Sequence, residues 1–239
     1  MLVKLVDIIK EAKGTKSFIW SLNKNIKYLP GQYFYFTLPQ LKYKDSRGPT
    51  RHFTISSSPT EKGILKFTTR IRNESGFKKT LNDLKIGNII EAEGPNGTFI
   101  LDENSKGGHI FIAGGIGVTP FRSFAKYNID KNLKDINLHL IYSNSVPKEI
   151  TFRKELVDWS KSYKNLKVDM TITKPEKSKN WEGLTGRIDE NMLKKLISDY
   201  RLPNYWTSGP PGLVTAMEKV LSKLNIPKNK IRSEKFTGY

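Results

Sequence analysis

From Val3 to Leu101 the apolar positions fall in short β-rich runs broken by turn formers. Strands are expected over 17–22, 33–38, 52–56, 65–71 and 89–93. Leu29-Pro30-Gly31-Gln32, Glu61-Lys62-Gly63 and Gly94-Pro95-Asn96-Gly97 punctuate the series, each with a residue suited to a fixed or positive φ. One helix, 77–84, interrupts it. Short strands so spaced predict a small antiparallel barrel or sandwich.

Beyond Asn104-Ser105-Lys106-Gly107-Gly108 the texture changes. The run 109–113 is apolar after its leading histidine, as in a strand buried on both faces, and helical periodicity follows over 120–127. Strands over 136–142, 166–173 and 204–207 then alternate with helices over 151–161, 191–199 and 213–224. Such alternation predicts a parallel α/β sheet. The chain is therefore expected to hold two domains: an antiparallel β-barrel at 1–103 and a parallel-sheet α/β domain at 104–239. No internal repeat is visible.

Composition narrows the chemistry. The 239 residues contain no cysteine, which excludes, within them, disulfides, cysteine-bound zinc, a cysteine-held iron–sulfur cluster and a thiol nucleophile. The three histidines, His52, His109 and His139, are scattered, so neither a catalytic triad nor a metal site is expected. The net charge of +18 suits an acidic partner or a polyanion. A basic nucleic-acid-binding module is the rival class on charge alone, although the lysines are dispersed rather than gathered into one tract. There is no leader-like start and no apolar run of the ~20 residues a membrane span needs, so a cytoplasmic protein is expected.

Arg51-His52-Phe53-Thr54-Ile55-Ser56-Ser57 is the first chemical constellation. On a strand Arg51, Phe53 and Ile55 share one face and His52, Thr54 and Ser56 the other, so a flat ring could lie along the edge with a guanidinium one pair away, able to grip two phosphate oxygens. Together with Leu29-Pro30-Gly31-Gln32-Tyr33 it resembles the flavin-binding barrel of the ferredoxin–NADP reductase family, with its Pro-Gly-Gln and Arg-x-Tyr-Ser-x-x-Ser signatures. The resemblance implies that Arg51 holds the FAD pyrophosphate, Phe53 packs on the isoalloxazine and Thr54 bonds near flavin N5. Phe53 in place of tyrosine lacks a phenol, and Thr54 keeps the hydroxyl of the usual serine. His52 reads as a flavin-adjacent or surface residue rather than a base.

Ser75-Gly76-Phe77-Lys78-Lys79-Thr80-Leu81 opens the predicted helix with a glycine and leaves backbone N–H groups to meet an anion. It resembles the family's Gly-x-x-Ser-x-x-Leu phosphate loop imperfectly. Lys78 or Lys79 stands near the serine's place, and which of these amines or the Thr80 hydroxyl meets the phosphate stays open.

Ala113-Gly114-Gly115-Ile116-Gly117-Val118-Thr119-Pro120 follows a buried strand, with Thr119 expected as N-cap and Pro120 as first helical residue. Pro120 replaces the last glycine of Gly-x-Gly-x-x-Gly, so this is not the Rossmann fingerprint. It resembles the Gly-Gly-x-Gly-x-Thr-Pro segment that faces the nicotinamide nucleotide in the same family. Thr207-Ser208-Gly209-Pro210 resembles the family's Cys-Gly-Pro motif, with Ser208 in the cysteine's place beside the nicotinamide. Near the end, Glu234 and Phe236 match a Glu-x-aromatic pattern whose ring covers the flavin. Phe236 or Tyr239 could be that ring, and Phe236 is favoured.

Ser143-Asn144-Ser145, Thr173-Lys174 and Thr185-Gly186-Arg187 fall where strand ends would meet the adenosine half of a nucleotide. No carboxylate closes the 136–142 strand, so a 2′-phosphate is permitted, with Lys174 or Arg187 as its cation and NADPH favoured over NADH. The resemblance thus implies an FAD-dependent NAD(P)H reductase. Hydride would pass to flavin N5, with Gly115, Thr119 and Ser208 positioning the nicotinamide and Phe236 moving aside. The electrons would go on to a separate carrier, an acidic ferredoxin or flavodoxin. The alternatives are the reductase component of a multi-protein oxygenase and a subunit that only relays electrons within a complex.

Overall fold

The computed structural model describes residues 1–22, 26–178 and 180–237. Its first half is a run of strands, β1 (Leu2–Ala12), β2 (Thr15–Ser21), β3 (Tyr33–Thr37), β4 (Thr50–Thr54) and β5 (Ile64–Arg70), then helix α1 (Gly76–Asn82) and strand β6 (Ile89–Asn96). Among the described residues these six strands form one sheet in the order β4-β3-β6-β1-β2-β5, with every pairing antiparallel. A bridge from Ile55, just past β4, to Phe67 of β5 joins the two edges and closes the barrel. Its interior is aromatic: Phe18, Trp20, Phe34, Phe36, Phe67 and Phe77 are fully buried.

β1 was not among the expected strands. Val3 and Leu5 alternate inward, but irregularities between Leu5 and Asp7 and between Lys10 and Ala12 break the register. Bulges of this kind disrupt the two-residue period that sequence reading relies on.

The second half begins with β7 (Gly107–Gly114) and α2 (Val118–Lys131), followed by β8 (Ile136–Asn144), α3 (Arg153–Ser162), β9 (Leu166–Ile172), β10 (Leu184–Thr185), α4 (Glu190–Leu196), β11 (Asn204–Gly209), α5 (Pro211–Lys223) and β12 (Ile231–Lys235). The sheet is parallel, in the order β10-β9-β8-β7-β11-β12. The chain steps outward from β7 to β10, then returns to the other side of β7 for β11 and β12. Right-handed crossovers running in opposite directions place their helices on opposite faces. Phe111, Leu140 and Tyr142 accordingly pack in one core with Phe121 and Phe124 of α2, while Ile110, Ile112 and Ile141 pack in another with Leu193 of α4 and Met217 and Leu221 of α5. The order reverses between β7 and β11, and the carboxyl ends of strands at such a switch point form a crevice.

Candidate functional site

A cleft holding about 810 Å³ of atom-free space, partly open to solvent, separates the barrel from the α/β domain. The barrel contributes Arg51, Phe53, Thr54 and Lys78, and the facing wall is Thr119, Glu234 and Phe236. Strand alternation explains the barrel side. Phe53 turns inward and stacks on Phe67, with ring centres 4.3 Å apart and planes at 6°. His52, on the other side of the strand, also lines the cleft, against Tyr33 and Tyr35; burial and the Arg47 charge hold its pKa below the ordinary value.

The cations converge through a loop that the sequence did not single out. Arg51 Nη2 donates to Asp45 Oδ1 at 2.5 Å, and Arg51 Nη1 donates to the carbonyls of Arg47, Gly48 and Thr50. Asp45 also accepts from Phe77 N at 2.9 Å, Ser75 Oγ at 3.0 Å and Arg47 N at 3.0 Å. Burial by itself would raise its pKa, but these donors and the Arg51 charge bring it down to about 2. Lys78 is buried in the cleft wall, where desolvation first, then the charges of Arg72, Arg51, Arg47 and Arg70, push its pKa down to about 8. A cradle this dense in positive charge fits a phosphate or diphosphate.

The start of α1 corrects one expectation. Its amides are not left open to an anion: Phe77 N donates to Asp45 and Lys78 N to Ser75 Oγ. Gly76 is required there because a Cβ would lie 2.2 Å from the Lys44 carbonyl oxygen. Of the open alternatives, Lys78 reaches the cleft, whereas the Lys79 amine sits 4.1 Å from the centre of the Tyr43 ring. Thr80 is turned away, donating to Gly76 O and accepting from Lys42 N.

On the facing wall, Gly115–Gly117 forms a single 3-10 turn after β7, and Gly115 has φ +54°. Thr119 is not the N-cap. Helix α2 starts at Val118, and the Thr119 hydroxyl donates back to Ile116 O at 3.0 Å, which ties the turn to the helix. Gly117 packs so closely on β11 that a Cβ would lie 2.2 Å from Ser208 O. Ser208 Oγ donates to Gly117 O at 2.6 Å, so this buried hydroxyl clamps the turn after β7 to β11 and lines neither the cleft nor the hollows at the strand ends. Gly209 has φ +137° and lies against Gly114, where a Cβ would come 2.7 Å from Gly114 O.

Two adjoining hollows of about 450 and 470 Å³ continue along the strand ends and share Arg70, Gly115 and Pro210. Arg72 lines the first; Gly114, Ser143, Asn144 and Thr173 line the second. Asn144 stands beside the Tyr142 hydroxyl, yet neither side-chain atom has a hydrogen-bond partner. Lys174 and Arg187 are exposed and line neither hollow. The guanidinium groups at this end come instead from the end of β5 and just beyond, in the run Arg70-Ile71-Arg72, whose alternation puts both arginines on one side. That spacing is visible in the sequence itself.

Glu234 lies in the cleft with its Oε2 buried and without a partner, and burial pushes its pKa up to about 7. Phe236, which also lines the cleft, is anchored by its N–H donating to Gly209 O at 2.9 Å. Tyr239 lies outside the described residues. The other histidines are structural: His109 bonds Ser105 O and accepts from Trp206 Nε1, and His139 contacts Asp169. Among the described residues, no acid, histidine or cysteine cluster could hold a metal, and no helix is long and apolar enough to cross a membrane.

Two family models match this chain. Residues 2–100 match the family described as oxidoreductase FAD-binding domain, and residues 111–219 match the oxidoreductase NAD-binding domain. The chain is 24% identical over 238 residues to a glycine betaine monooxygenase reductase subunit of Chromohalobacter salexigens, covering 98% of this chain and 63% of that protein. It is 27% identical over 214 residues to the anthranilate 1,2-dioxygenase electron transfer component of Acinetobacter baylyi, covering 89% and 59%. The chain thus spans less than two thirds of these relatives' lengths. The crystal structure of the cytochrome b5 reductase domain of Ulva prolifera nitrate reductase shares the fold with a TM-score of 0.83 at 20% identity, covering 98% of this chain and 96% of that one.

Proposed function

We propose that this chain, which belongs to the ferredoxin–NADP reductase-like oxidoreductases that join an FAD-binding to an NAD-binding domain, takes hydride from NAD(P)H and sends the electrons through flavin to a separate acceptor. The observation that carries this reading is the cleft, in which Thr54 and the cationic cradle of the barrel face Thr119, Glu234 and Phe236. We take 1–103 as the flavin unit and 104–239 as the nucleotide unit.

Bound flavin supplies a centre that accepts two electrons as hydride and releases them one at a time. The chain's own residues bind and orient. In this reading Arg51 and Lys78 neutralise flavin phosphate, with Gly76 permitting the close loop beneath them. Phe53 gives the ring an apolar wall, and the Thr54 hydroxyl bonds at the reacting edge. Thr119, Gly115 and Gly117 shape the nicotinamide seat; Ser208 holds that seat through Gly117, and Phe236 excludes water until the nicotinamide enters. Glu234 holds or yields a proton beside it. Gly114, Gly209 and Pro210 let the coenzyme's phosphates approach backbone. Arg70 and Arg72 serve those phosphates in place of Lys174 and Arg187, with NADPH still favoured over NADH.

The acceptor is read as an acidic ferredoxin or flavodoxin, which the net charge of +18 would attract. The names of two relatives, a monooxygenase reductase subunit and a dioxygenase electron transfer component, favour the second reading, an oxygenase component as destination. Cytoplasm is the compartment this reading favours, since NAD(P)H is available there.

The test is the visible spectrum of the purified protein with added FAD, before and after anaerobic NADPH or NADH. Flavin bands that bleach support the reading, and the faster coenzyme identifies the donor. A protein that stays colourless and binds DNA or RNA with steep salt dependence returns the basic-module alternative.

A further inference from the structure

We propose that Arg122 is a positioning residue that sets the spacing between the two walls of the cleft, and so the geometry of hydride transfer. The inference rests on the function proposed above and deepens it. Arg122 lies on α2 three residues after Thr119, hence on the same helix face, and is 3% exposed. Its guanidinium is divided between the domains. Nε and Nη2 grip Glu155 of α3 at 2.8 and 2.7 Å, within the α/β domain. Nη1 crosses to the barrel, donating to Ser56 O at 2.6 Å and Glu61 Oε2 at 2.8 Å, and Nη2 also reaches Glu61 Oε1 at 3.3 Å.

Ser56 is two residues from Thr54, so the crossing bond fastens the flavin wall close to its reacting end. Beside it, Ser123 Oγ donates to Ser57 O at 2.7 Å. The rings of Phe152 and Trp159 flank the guanidinium at 5.5 and 5.6 Å, which limits water access. A rigid fork can hold two carboxylates in fixed directions at once, whereas a lysine amine offers a single point charge. Arg122 is carried by α2, so its bonds to Ser56 and Glu61 tie the barrel directly to the helix that bears Thr119, while the pair to Glu155 adds α3 within the same domain. In the proposed hydride step two electrons and a proton would leave nicotinamide C4, which would be oxidised, for flavin N5, which would be reduced. That step falls off steeply when the reacting atoms are displaced by about 1 Å.

Glu61→Gln and Glu155→Gln separate positioning from simple structural support, because each weakens one ion pair of the same arginine, only the Glu61 pair spans the domains, and a Gln oxygen still accepts the Ser58 N–H that Glu61 Oε2 takes at 2.6 Å within its own turn. Two readouts are needed. In the flavin-free protein, hydrogen exchange over 54–61 should quicken several-fold in Glu61→Gln and stay near wild type in Glu155→Gln. In the flavin-loaded protein, single-turnover flavin reduction by NADPH should slow about tenfold or more in Glu61→Gln, with flavin and NADPH affinities retained, and change less than about twofold in Glu155→Gln. Arg122→Lys should resemble Glu61→Gln and Arg122→Met should be slower still. Equal effects of the two glutamine variants in either readout, or wild-type flavin reduction in Glu61→Gln, would overturn the proposal. A wild-type protein whose flavin is not bleached at all would instead sink the reading of function.

Discussion

Asp45 lies 2.5 Å from Arg51, which lines the cleft, and the same carboxylate accepts the Phe77 amide at the start of α1. One buried acid thus joins the loop before β4, the arginine on β4 and the helix that carries Lys78. The cationic cradle is held together from within by its own anion.

Replacing Asp45 by Asn should therefore loosen the cradle. The folded-state pKa of about 2 lies below the ordinary 3.8, so Asp45 stabilises the fold at pH values above 3.8, and this contribution is lost as pH falls through 2. Chemical denaturation at pH 7 should show Asp45→Asn weaker by about 2 kcal/mol, with the gap closing in acid. Arg51→Ala should weaken flavin retention by roughly ten- to a hundredfold, the scale of one charge-assisted bidentate contact, measured by equilibrium dialysis of FAD.

The turn after β7 invites a comparison of two glycines. Gly117→Ala puts a methyl 2.2 Å from the Ser208 carbonyl oxygen, which backbone cannot yield without moving the turn after β7 away from β11. Gly212 in α5 has nothing within 4 Å of an added Cβ. Thermal unfolding should show Gly117→Ala destabilised by about 3 kcal/mol or more, and Gly212→Ala neutral or stabilised by up to about 1 kcal/mol.

Much of this was legible from local pattern. The antiparallel strands of the barrel and the alternating second domain follow from hydrophobic period, and Arg51, Thr54, Thr119, Glu234 and Phe236 line one cleft as a group recognised from separate motifs. What escaped depends on contacts between distant segments. Asp45 sits in a polar loop with no motif, and its role arises only when that loop packs on Gly76. Thr119 reads as an N-cap by type and position, but the 3-10 turn before it moves the helix start back to Val118. Arg122 follows a recognised motif by two residues, and nothing local indicates that its partners are Glu61 and Glu155.

The hollows at the strand ends yield a coenzyme prediction. Because Arg70 and Arg72 line them and Lys174 and Arg187 do not, Arg72→Ala should raise KM for the nicotinamide nucleotide about tenfold, on the scale of one lost charge-assisted bond, with little change in kcat. Lys174→Ala and Arg187→Ala should leave KM within about twofold. Steady-state kinetics with NADPH and NADH on all three variants checks this, and a large effect confined to Lys174 or Arg187 would mean that the coenzyme lies over the outer strands instead.

Glu234 carries the sharpest pH prediction. Its Oε2 is buried without a partner, and its pKa is about 7 against an ordinary 4.5. A raised carboxyl pKa means that the folded state binds the proton more tightly. The protonated group therefore adds nothing unfavourable below pH 4.5, and the cost of its ionisation grows between 4.5 and 7 and levels off above. At about 1.4 kcal/mol per pH unit, discounted for partial exposure, the flavin-free protein should lose about 2–3 kcal/mol of stability from this group between pH 4.5 and 8. Glu234→Gln is neutral throughout and should flatten that part of the profile, so denaturation of both proteins at pH 5 and pH 8 isolates the carboxyl's contribution. If the two profiles run parallel, the carboxyl is solvated in the cleft and the proton assigned to it in the reaction has no basis. If they diverge as expected, the same pKa should shape the pH dependence of flavin reduction in the wild type and be missing from it in the Gln variant.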